Sequence, residues 1–293
     1  MSLPHPAHAS GRRLCSPATS ALLSCLIASA AAGCAAVPLE EAHTLVSYDG
    51  LTSNNGKITK AKLKVDQKDL AAAKTIYIQP TTVSPKAGSS IKKPSDSALV
   101  ANVISRALCV GVSDRFQVVD RRENADVIVH ATITRIMPTN AGMAGVSTAT
   151  SLGASLVVPV PVPRLPVGLG GLAVEAEATA RDGRQVAAMV WAKGANAITT
   201  SARVSQVGDA YSLASGFGSD FSKMLVTGKT PYKGLPKFPS AQKIKSSLGG
   251  RPKYPACERF GRSPGVKDFA ASQIGLPPSW TDKQPAVVGQ WSP

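Results

Sequence analysis

Alternating apolar and polar residues predict three strands in the first half of the chain. KTIYIQP at 74–80 alternates and is rich in β-branched residues, so it predicts a strand that Pro80 ends. FQVVD at 116–120 predicts a short strand, and ADVIVHATITRI at 125–136 predicts a longer one. One face of the longer strand is apolar and carries Val127, Val129, Ala131 and Ile133. We expect the other face, with His130, Thr132 and Thr134, to be exposed to water or lightly covered.

Apolar residues at helical spacing predict two helices. In SALVANVISRALCV at 97–110, the apolar positions form one stripe, and we expect Ser95 or Asp96 to cap the helix and Gly111 to end it. The segment 205–226 predicts a second helix, which Gly216 and Gly218 weaken.

The segment 172–195 predicts a hairpin with Asp182-Gly183 as its tight turn. The resulting order, β-α-β-β-(insert)-β-β-α, predicts an α+β two-layer sandwich, with a mostly antiparallel sheet and helices on one face. The other sheet face carries polar residues, and we expect it to be open to solvent or to a partner; they are His130, Thr132, Glu175 and Glu177.

Two segments lack this periodicity. Residues 139–172 are a Gly/Ala/Ser/Val/Pro-rich insert, and Pro159, Pro161, Pro163 and Pro166 favour a surface loop. Residues 228–293 carry eleven Lys or Arg against three Asp or Glu, which predicts a basic tail that is disordered or loosely draped over the domain.

The full chain of 293 residues has a formal net charge of +15, which favours acidic partners. We assign residues 1–33 to a signal peptide, 34–73 to an N-terminal lead, 74–227 to the α+β domain and 228–293 to the tail. The candidate anion-binding residues of the tail are Lys229, Lys233, Lys237, Lys243, Lys245, Arg251 and Lys253.

The N-terminus has the organisation of a secretory signal. Arg12 and Arg13 precede an apolar stretch that runs from Leu14 to Ala32 and ends in small residues. The four residues 31–34, Ala-Ala-Gly-Cys, resemble a bacterial lipobox. That resemblance implies cleavage before the cysteine, a diacylglyceryl group on its sulfur and acylation of the new amine.

The lipobox assignment makes Cys34 the first residue of the mature protein. Ala35 follows it rather than Asp, and by resemblance to the usual sorting rule this points to the periplasmic face of the outer membrane. The chain departs from the common pattern at Ala31, where leucine is usual. The alternative is cleavage after Ala32, which would give a soluble periplasmic protein.

Beyond the signal and Cys34, two cysteines remain, Cys109 and Cys257. In an oxidising periplasm they can form one disulfide that links the domain to the tail. A buried free Cys109 with an exposed Cys257 is the other interpretation.

Catalytic and cofactor motifs are not found in the sequence. It has no zinc or calcium spacing, no phosphate-binding loop in the required context and no nucleophile elbow. His130 with Glu175 or Glu177 is the best enzyme-like constellation, but we favour a surface histidine beside surface carboxylates, because no nucleophile accompanies them. We therefore expect no enzyme activity and no cofactor.

The early YDGL, the strand pair FQVVD and ADVIVHATITRI, and the hairpin VEAEATARDGRQVAAMVWA resemble bacterial lipoproteins of the domain of unknown function 3313 family. The resemblance covers roughly residues 34–226, with Glu175, Glu177, Asp182 and Gly183 in the acidic strand and its turn. It implies a location and a fold but no activity.

Three hypotheses follow. The first is a non-enzymatic envelope lipoprotein, anchored through Cys34, whose basic tail binds peptidoglycan, anionic lipid or an envelope protein. The second is an accessory subunit of an envelope transport or secretion complex that is contacted by the insert. The third is a ligand-binding or hydrolytic domain that uses the His130/Glu175 face. Nucleic acid is discounted because a periplasmic protein does not meet it.

Overall fold

The computed structural model describes residues 36–155, 165–234 and 238–282, and for 150–155 it describes the backbone alone. These residues lie in one compact unit that spans Cys34–Pro293. The strands are β1 (Thr52–Ser53), β2 (Thr59–Val65), β3 (Thr75–Ile78), β4 (Thr82–Val83), β5 (Gln117–Val118), β6 (Val127–Met137), β7 (Gly171–Ala180) and β8 (Gln185–Gly194). The helices are α1 (Gln67–Ala72), α2 (Pro85–Ser89), α3 (Pro94–Val112), α4 (Ala141–Ser155), α5 (Gly208–Thr227), α6 (Ala241–Ser247) and α7 (Gly265–Gln273).

The eight described strands form one sheet in the order β1-β2-β8-β7-β6-β3-β5, and β4 also pairs with β6. Strands β2, β8, β7 and β6 pair with one another antiparallel, whereas β3 and β4 pair with β6, and β5 pairs with β3, in parallel. The predicted α+β sandwich is confirmed, and so is the β7–β8 hairpin. Gly183 in its turn has φ +87°, which glycine adopts without strain.

The core lies between the sheet and the helix pair α3 and α5. Trp191 of β8 packs edge-on against Phe217 of α5, with ring centroids 5.6 Å apart, and both side chains are fully buried. Two glycines allow the helices to approach closely. An added Cβ on Gly218 would lie 2.5 Å from the Cβ of Ala107, and one on Gly111 would lie 2.2 Å from the Oγ of Ser222.

Helix α3 is long and apolar enough by composition to cross a membrane, but most of it is buried in the fold. It begins at Pro94 rather than after the predicted caps, and no side chain caps it. It also continues through Gly111, because that glycine packs against α5 and does not end the helix.

The N-terminal lead is more structured than we predicted. It contains β1, β2 and α1, and β2 pairs along its whole length with β8. The reason is visible in the sequence TKAKLKV, where Ala61, Leu63 and Val65 alternate with lysines and place small and aliphatic side chains toward the core.

The insert is also partly structured. The prediction of a surface loop over 139–172 was wrong for Ala141–Ser155, which forms α4, and for Gly171 onward, which begins β7. The first proline of the run is Pro159, so nothing in 141–155 prevents a helix. The side chain of Asn140 accepts a hydrogen bond from the backbone N–H of Met143 at 3.1 Å. Pro159, Pro161 and Pro163 lie outside the described residues.

Candidate functional site

The outer face of the sheet, opposite α3 and α5, is covered by the chain's own N-terminal segment. Residues 36–48, here called the strap, run along β7 from its first residues to Glu177. Glu175 and Glu177 are therefore buried, with 1% and 5% of their surfaces exposed. The prediction that this face is open to solvent or to a partner was wrong at these two positions, because the strap covers both carboxylates.

Glu175 is the centre of the contact between strap and sheet. Its Oε1 accepts from the backbone N–H of Ala42 at 2.6 Å. Its Oε2 accepts from the N–H of Thr44 at 3.1 Å, from the Thr44 hydroxyl at 2.6 Å and from the Tyr48 hydroxyl at 2.6 Å. A buried carboxylate is costly unless it is hydrogen-bonded, and these four donors supply the compensation.

Glu177 makes a second attachment further along the strap. Its Oε2 accepts from the N–H of Val46 at 2.9 Å and from the side-chain amide of Gln185 at 2.8 Å. The same amide donates to the carbonyl of Ser47 at 2.9 Å. Gln185 therefore ties the strap to β8 as well as to β7.

Tyr48 and His43 shape the strap between these attachments. Burial, together with the hydrogen bond to Glu175, raises the pKa of the Tyr48 phenol to about 12, so the phenol stays a donor. Its oxygen also accepts from the N–H of Thr44 at 2.9 Å. His43 has φ 58°, a conformation that few non-glycine residues adopt, and its ring contacts that of Tyr48 edge-on.

The first residues of the strap are held by packing and by ion pairs. Val37 is buried against Ala173 and Ala192. Glu40 pairs with Arg135 of β6, which lowers the pKa of the Glu40 carboxyl, and Glu41 pairs with Lys62 of β2 at 2.8 Å. Such exposed pairs are weak individually, so the buried carboxylates are the main attachment.

His130 lies on the same outer face but does not form a catalytic arrangement with Glu175. In the register of β6 and β7, His130 is opposite Glu177, whereas Glu175 is opposite Thr132. The Nε2 of His130 lies 3.5 Å from the Thr82 hydroxyl. Burial lowers the pKa of His130, and the charge of Glu177 partly opposes this.

Cys34, the predicted lipidation site, lies outside the described residues, as does Ala31. The first described residue, Ala36, is two positions further along the chain. The strap therefore begins two residues after the cysteine. Its second residue, Val37, is already buried against the sheet.

Cys109 and Cys257 are joined in a disulfide across a sequence separation of 148. Both residues are fully buried, and the bond fixes the tail to α3. Of the two interpretations left open by the sequence, the structure has the bridged one.

The described parts of the tail, 228–234 and 238–282, are folded against the domain, and the prediction of a disordered arm is wrong for these residues. Asp282 accepts from Arg106 of α3 at 3.1 Å and from the hydroxyl of Tyr211 of α5 at 2.8 Å. Asp268 accepts from Arg203 at 2.9 and 2.7 Å. The tail is folded because these hydrogen bonds join it to residues far away in the sequence. Such bonds cannot be recognised from local composition.

The candidate anion-binding residues are distributed around this folded tail. Lys237 lies outside the described residues. Lys243 is half-buried, and Lys253 donates to the carbonyl of Ser113 at 3.1 Å. The remaining four have exposed side chains, namely Lys229, Lys233, Lys245 and Arg251.

The folded tail also closes one side of a groove. The groove has a volume of about 690 Å³ and lies between α3, α5 and the tail helices α6 and α7. Serine hydroxyls line much of it, while Leu248, Val266 and Phe269 at its edge are exposed. Among the residues that the structure describes, no group of three or more His, Cys, Asp or Glu side chains is placed to hold a metal ion.

Fold and site together define a two-layer α+β domain that binds its own N-terminal segment through two buried glutamates. The chain belongs to the family described as Protein of unknown function (DUF3313), whose model matches residues 40–221, more than half of the chain. The family predicted from the sequence is confirmed. The match covers most of the strap and both glutamates.

Solved structures show only distant similarity. A PelC dodecamer from Paraburkholderia phytofirmans is 8% identical, with a TM-score of 0.36, and the alignment covers 59% of this chain and 100% of that chain. A DUF4136 family protein from Bacteroides thetaiotaomicron is 10% identical, with a TM-score of 0.30, and the alignment covers 58% and 97% of the two chains. No curated protein sequence matches the chain.

Proposed function

We propose that the protein is a non-enzymatic lipoprotein of the bacterial cell envelope, anchored through Cys34 to the periplasmic face of the outer membrane. In this proposal residues 1–33 are a signal peptide, and the domain is a structural or interaction module. The observation that carries the proposal is the strap, which fixes the chain from Val37 onward to the sheet. An anchor at Cys34 would thus be coupled to the domain without a flexible linker.

The lipid anchor is tested by labelling cells with radioactive palmitate and separating membranes from soluble periplasm. We expect label and membrane association in the natural protein and loss of both in Cys34→Ala. Cys25→Ala is the matched control, because it removes a cysteine that the proposal assigns to the discarded signal; it should retain the label. Equal labelling of Cys34→Ala would contradict the proposal.

The exposed cations of the tail support a second part of the proposal, binding to anionic groups of the cell wall or of lipids. Deleting the tail is unsuitable as a test, because Cys257, Asp268 and Asp282 are bonded to the domain. The better variant replaces Lys229, Lys233 and Lys245 by Gln, and its charge-matched control replaces the exposed Lys57, Lys60 and Lys68.

Binding to isolated peptidoglycan and to anionic vesicles is then measured at low and high salt. We expect salt-sensitive binding that falls several-fold in the tail variant and less in the control, since screened charges supply the attraction. Equal losses in the two variants would show that net charge alone matters and would remove the tail's role.

An accessory subunit of an envelope transport or secretion complex is the second candidate. The observation that favours it is the groove edge, where 63% of the surface of Val266 and 67% of that of Phe269 are exposed. A photo-crosslinking residue at Phe269, with one at Glu123 as the control, tests it in intact cells. This candidate function requires that one protein is crosslinked in stoichiometric amount at position 269 and that none is crosslinked at position 123.

A further inference from the structure

The strap enters the domain at one end of the sheet, which we call the anchor end. It is formed by the last residue of β6, the first of β7 and the last of β8, which are Met137, Gly171 and Gly194. Val37 packs there so closely that a Cβ on Gly171 would lie 2.2 Å from its Cγ2. Cys34 is three residues earlier, and an extended chain spans at most about 3.6 Å per residue, so its Cα lies within about 11 Å of that of Val37.

Three of the described segments at the anchor end contain no charged residue. Residues 136–155, 165–174 and 195–202 contain no Asp, Glu, Lys or Arg. They are bonded to one another: the N–H of Asn140 donates to the carbonyl of Gly168 at 3.0 Å, and the N–H of Ala195 donates to the carbonyl of Gly170 at 2.9 Å. The uncharged segments therefore form one continuous part of the molecule.

This part of the surface exposes aliphatic side chains. We call it the apolar end surface, and it comprises Val146, Leu165, Val167, Ile198 and Val204. Ile198 has 82% of its surface exposed, and Val146 has 50%. Val204 lies beside α4, since a Cβ on Gly145 would lie 3.7 Å from its Cγ2. Exposed apolar patches on a folded domain mark a contact with another apolar phase or molecule.

The opposite end of the sheet has the reverse character. The β7–β8 turn there carries Arg181, Asp182 and Arg184, and Asp69 pairs with Arg184 at 2.5 Å. Asp126 at the start of β6 accepts from the N–H groups of Lys74 and Thr75. The domain is thus polarised, with its charged end away from the point where the strap enters.

Cations lie beside the apolar end surface. Lys92 and Lys93 are exposed in the loop before α3. The N–H of Lys92 donates to the side chain of Gln206 at 3.2 Å, and the carbonyl of Gln206 accepts from the N–H of Thr139 at 2.8 Å. This places the two lysines near the end of β6, where anionic lipid headgroups would attract them if the apolar surface entered the bilayer.

We propose that the apolar end surface is seated in the membrane that receives the acyl chains of Cys34. The proposal rests on the lipid anchor and goes beyond it, because an anchor alone does not determine which surface of the domain contacts the bilayer. Ile198 and Val146 then lie at the boundary between headgroups and acyl chains, and Lys92 and Lys93 contact phosphates. The charged β7–β8 turn points away from the membrane.

The test uses the lipidated full-length mature protein in vesicles of phosphatidylethanolamine and phosphatidylglycerol. An environment-sensitive fluorophore is attached to one introduced cysteine, in Ile198→Cys or in the control Glu123→Cys, which lies at the charged end. The native disulfide is left oxidised, and the lipidated Cys34 does not react. Quenching by lipids that carry a quencher on the acyl chain is then measured.

We expect a blue-shifted emission and several-fold stronger quenching at position 198 than at position 123. If the protein floats with the vesicles but the two positions are quenched equally, the seating is wrong and the anchor stands. If the protein does not float and its N-terminus carries no lipid, both proposals fail. Shielding at position 198 only in native envelopes, with a protein crosslinked to it, would overturn the seating in favour of a protein partner.

Discussion

Glu175 is the residue on which the attachment of the strap depends most. Glu175→Gln preserves the shape of the side chain but replaces one acceptor oxygen by a donor that faces the N–H groups and hydroxyls of the strap. We expect a loss of about 1–3 kcal/mol in the free energy of unfolding and faster amide hydrogen exchange in residues 36–48. Urea unfolding and hydrogen exchange measured by mass spectrometry check the two effects.

The control for this variant is Glu123→Gln, which removes an exposed carboxylate at the other end of the sheet. It should leave strap exchange unchanged. If Glu175→Gln also left it unchanged, the strap would be held by Val37 and the surface ion pairs, and the two glutamates would not have the role assigned to them.

The buried His130 predicts how the free energy of unfolding depends on pH. Its pKa is lowered by burial from the ordinary value of 6.5, so below about that pH the unfolded chain binds more protons than the native protein. Its contribution to stability therefore falls as the pH is lowered through 6.5. Unfolding free energies at pH 7.5 and 5.5 should differ less in His130→Gln than in the natural protein, and equal differences would contradict this burial effect.

Helix α5 offers a matched pair of glycines at the scale of the element. Gly218→Ala puts a Cβ 2.5 Å from that of Ala107, so the helix pair must separate, and we expect a loss of about 1–3 kcal/mol. Gly216→Ala meets nothing within 4 Å and should be neutral or stabilise by up to about 1 kcal/mol. Thermal or urea unfolding distinguishes them, and equal effects would mean that α3 and α5 do not pack as described.

The elements whose periods are local could be predicted from the sequence. The alternation of β6 and the helical stripe of α3 each follow from neighbouring residues, and the observed bounds lie within a few positions of those predicted. The same alternation is present in TKAKLKV and could have identified β2. The strap could not be predicted in this way, because its bonds connect residues about 130 positions apart along the chain, as Thr44 and Glu175 show.

The environment of the acidic residues of β7 could be predicted only in part. The pattern placed Glu175 and Glu177 together on the outer face, and the structure agrees. Their burial was missed, because hydrophobic periodicity shows which face a residue lies on but not what covers that face. The one signal was the early YDGL, since Tyr48 is the side chain that returns to Glu175.

For the whole molecule, the disulfide determines how the tail is held. It closes a loop with a sequence separation of 148, and the chain-entropy estimate for such a loop is about 5 kcal/mol. We expect the Cys109→Ala, Cys257→Ala double variant to lose stability of that order and to show faster hydrogen exchange in residues 238–282. Unchanged exchange would show that the buried pair Arg106–Asp282 is sufficient to hold the tail.

For the whole molecule, the two ends of the sheet differ in charge. The start of the strap, the uncharged helix α4 and the exposed Ile198 lie at one end of the sheet, and the charged β7–β8 turn lies at the other. An anchor at Cys34 would present the charged β7–β8 turn to the periplasm.

The mass of the mature N-terminal peptide tests the central claim most directly. The protein is purified from its native envelope in detergent, digested with trypsin and analysed by mass spectrometry. The account predicts a peptide that begins at Cys34 and carries a diacylglyceryl group and an N-linked acyl chain. An unmodified peptide that begins at Gly33 would contradict it.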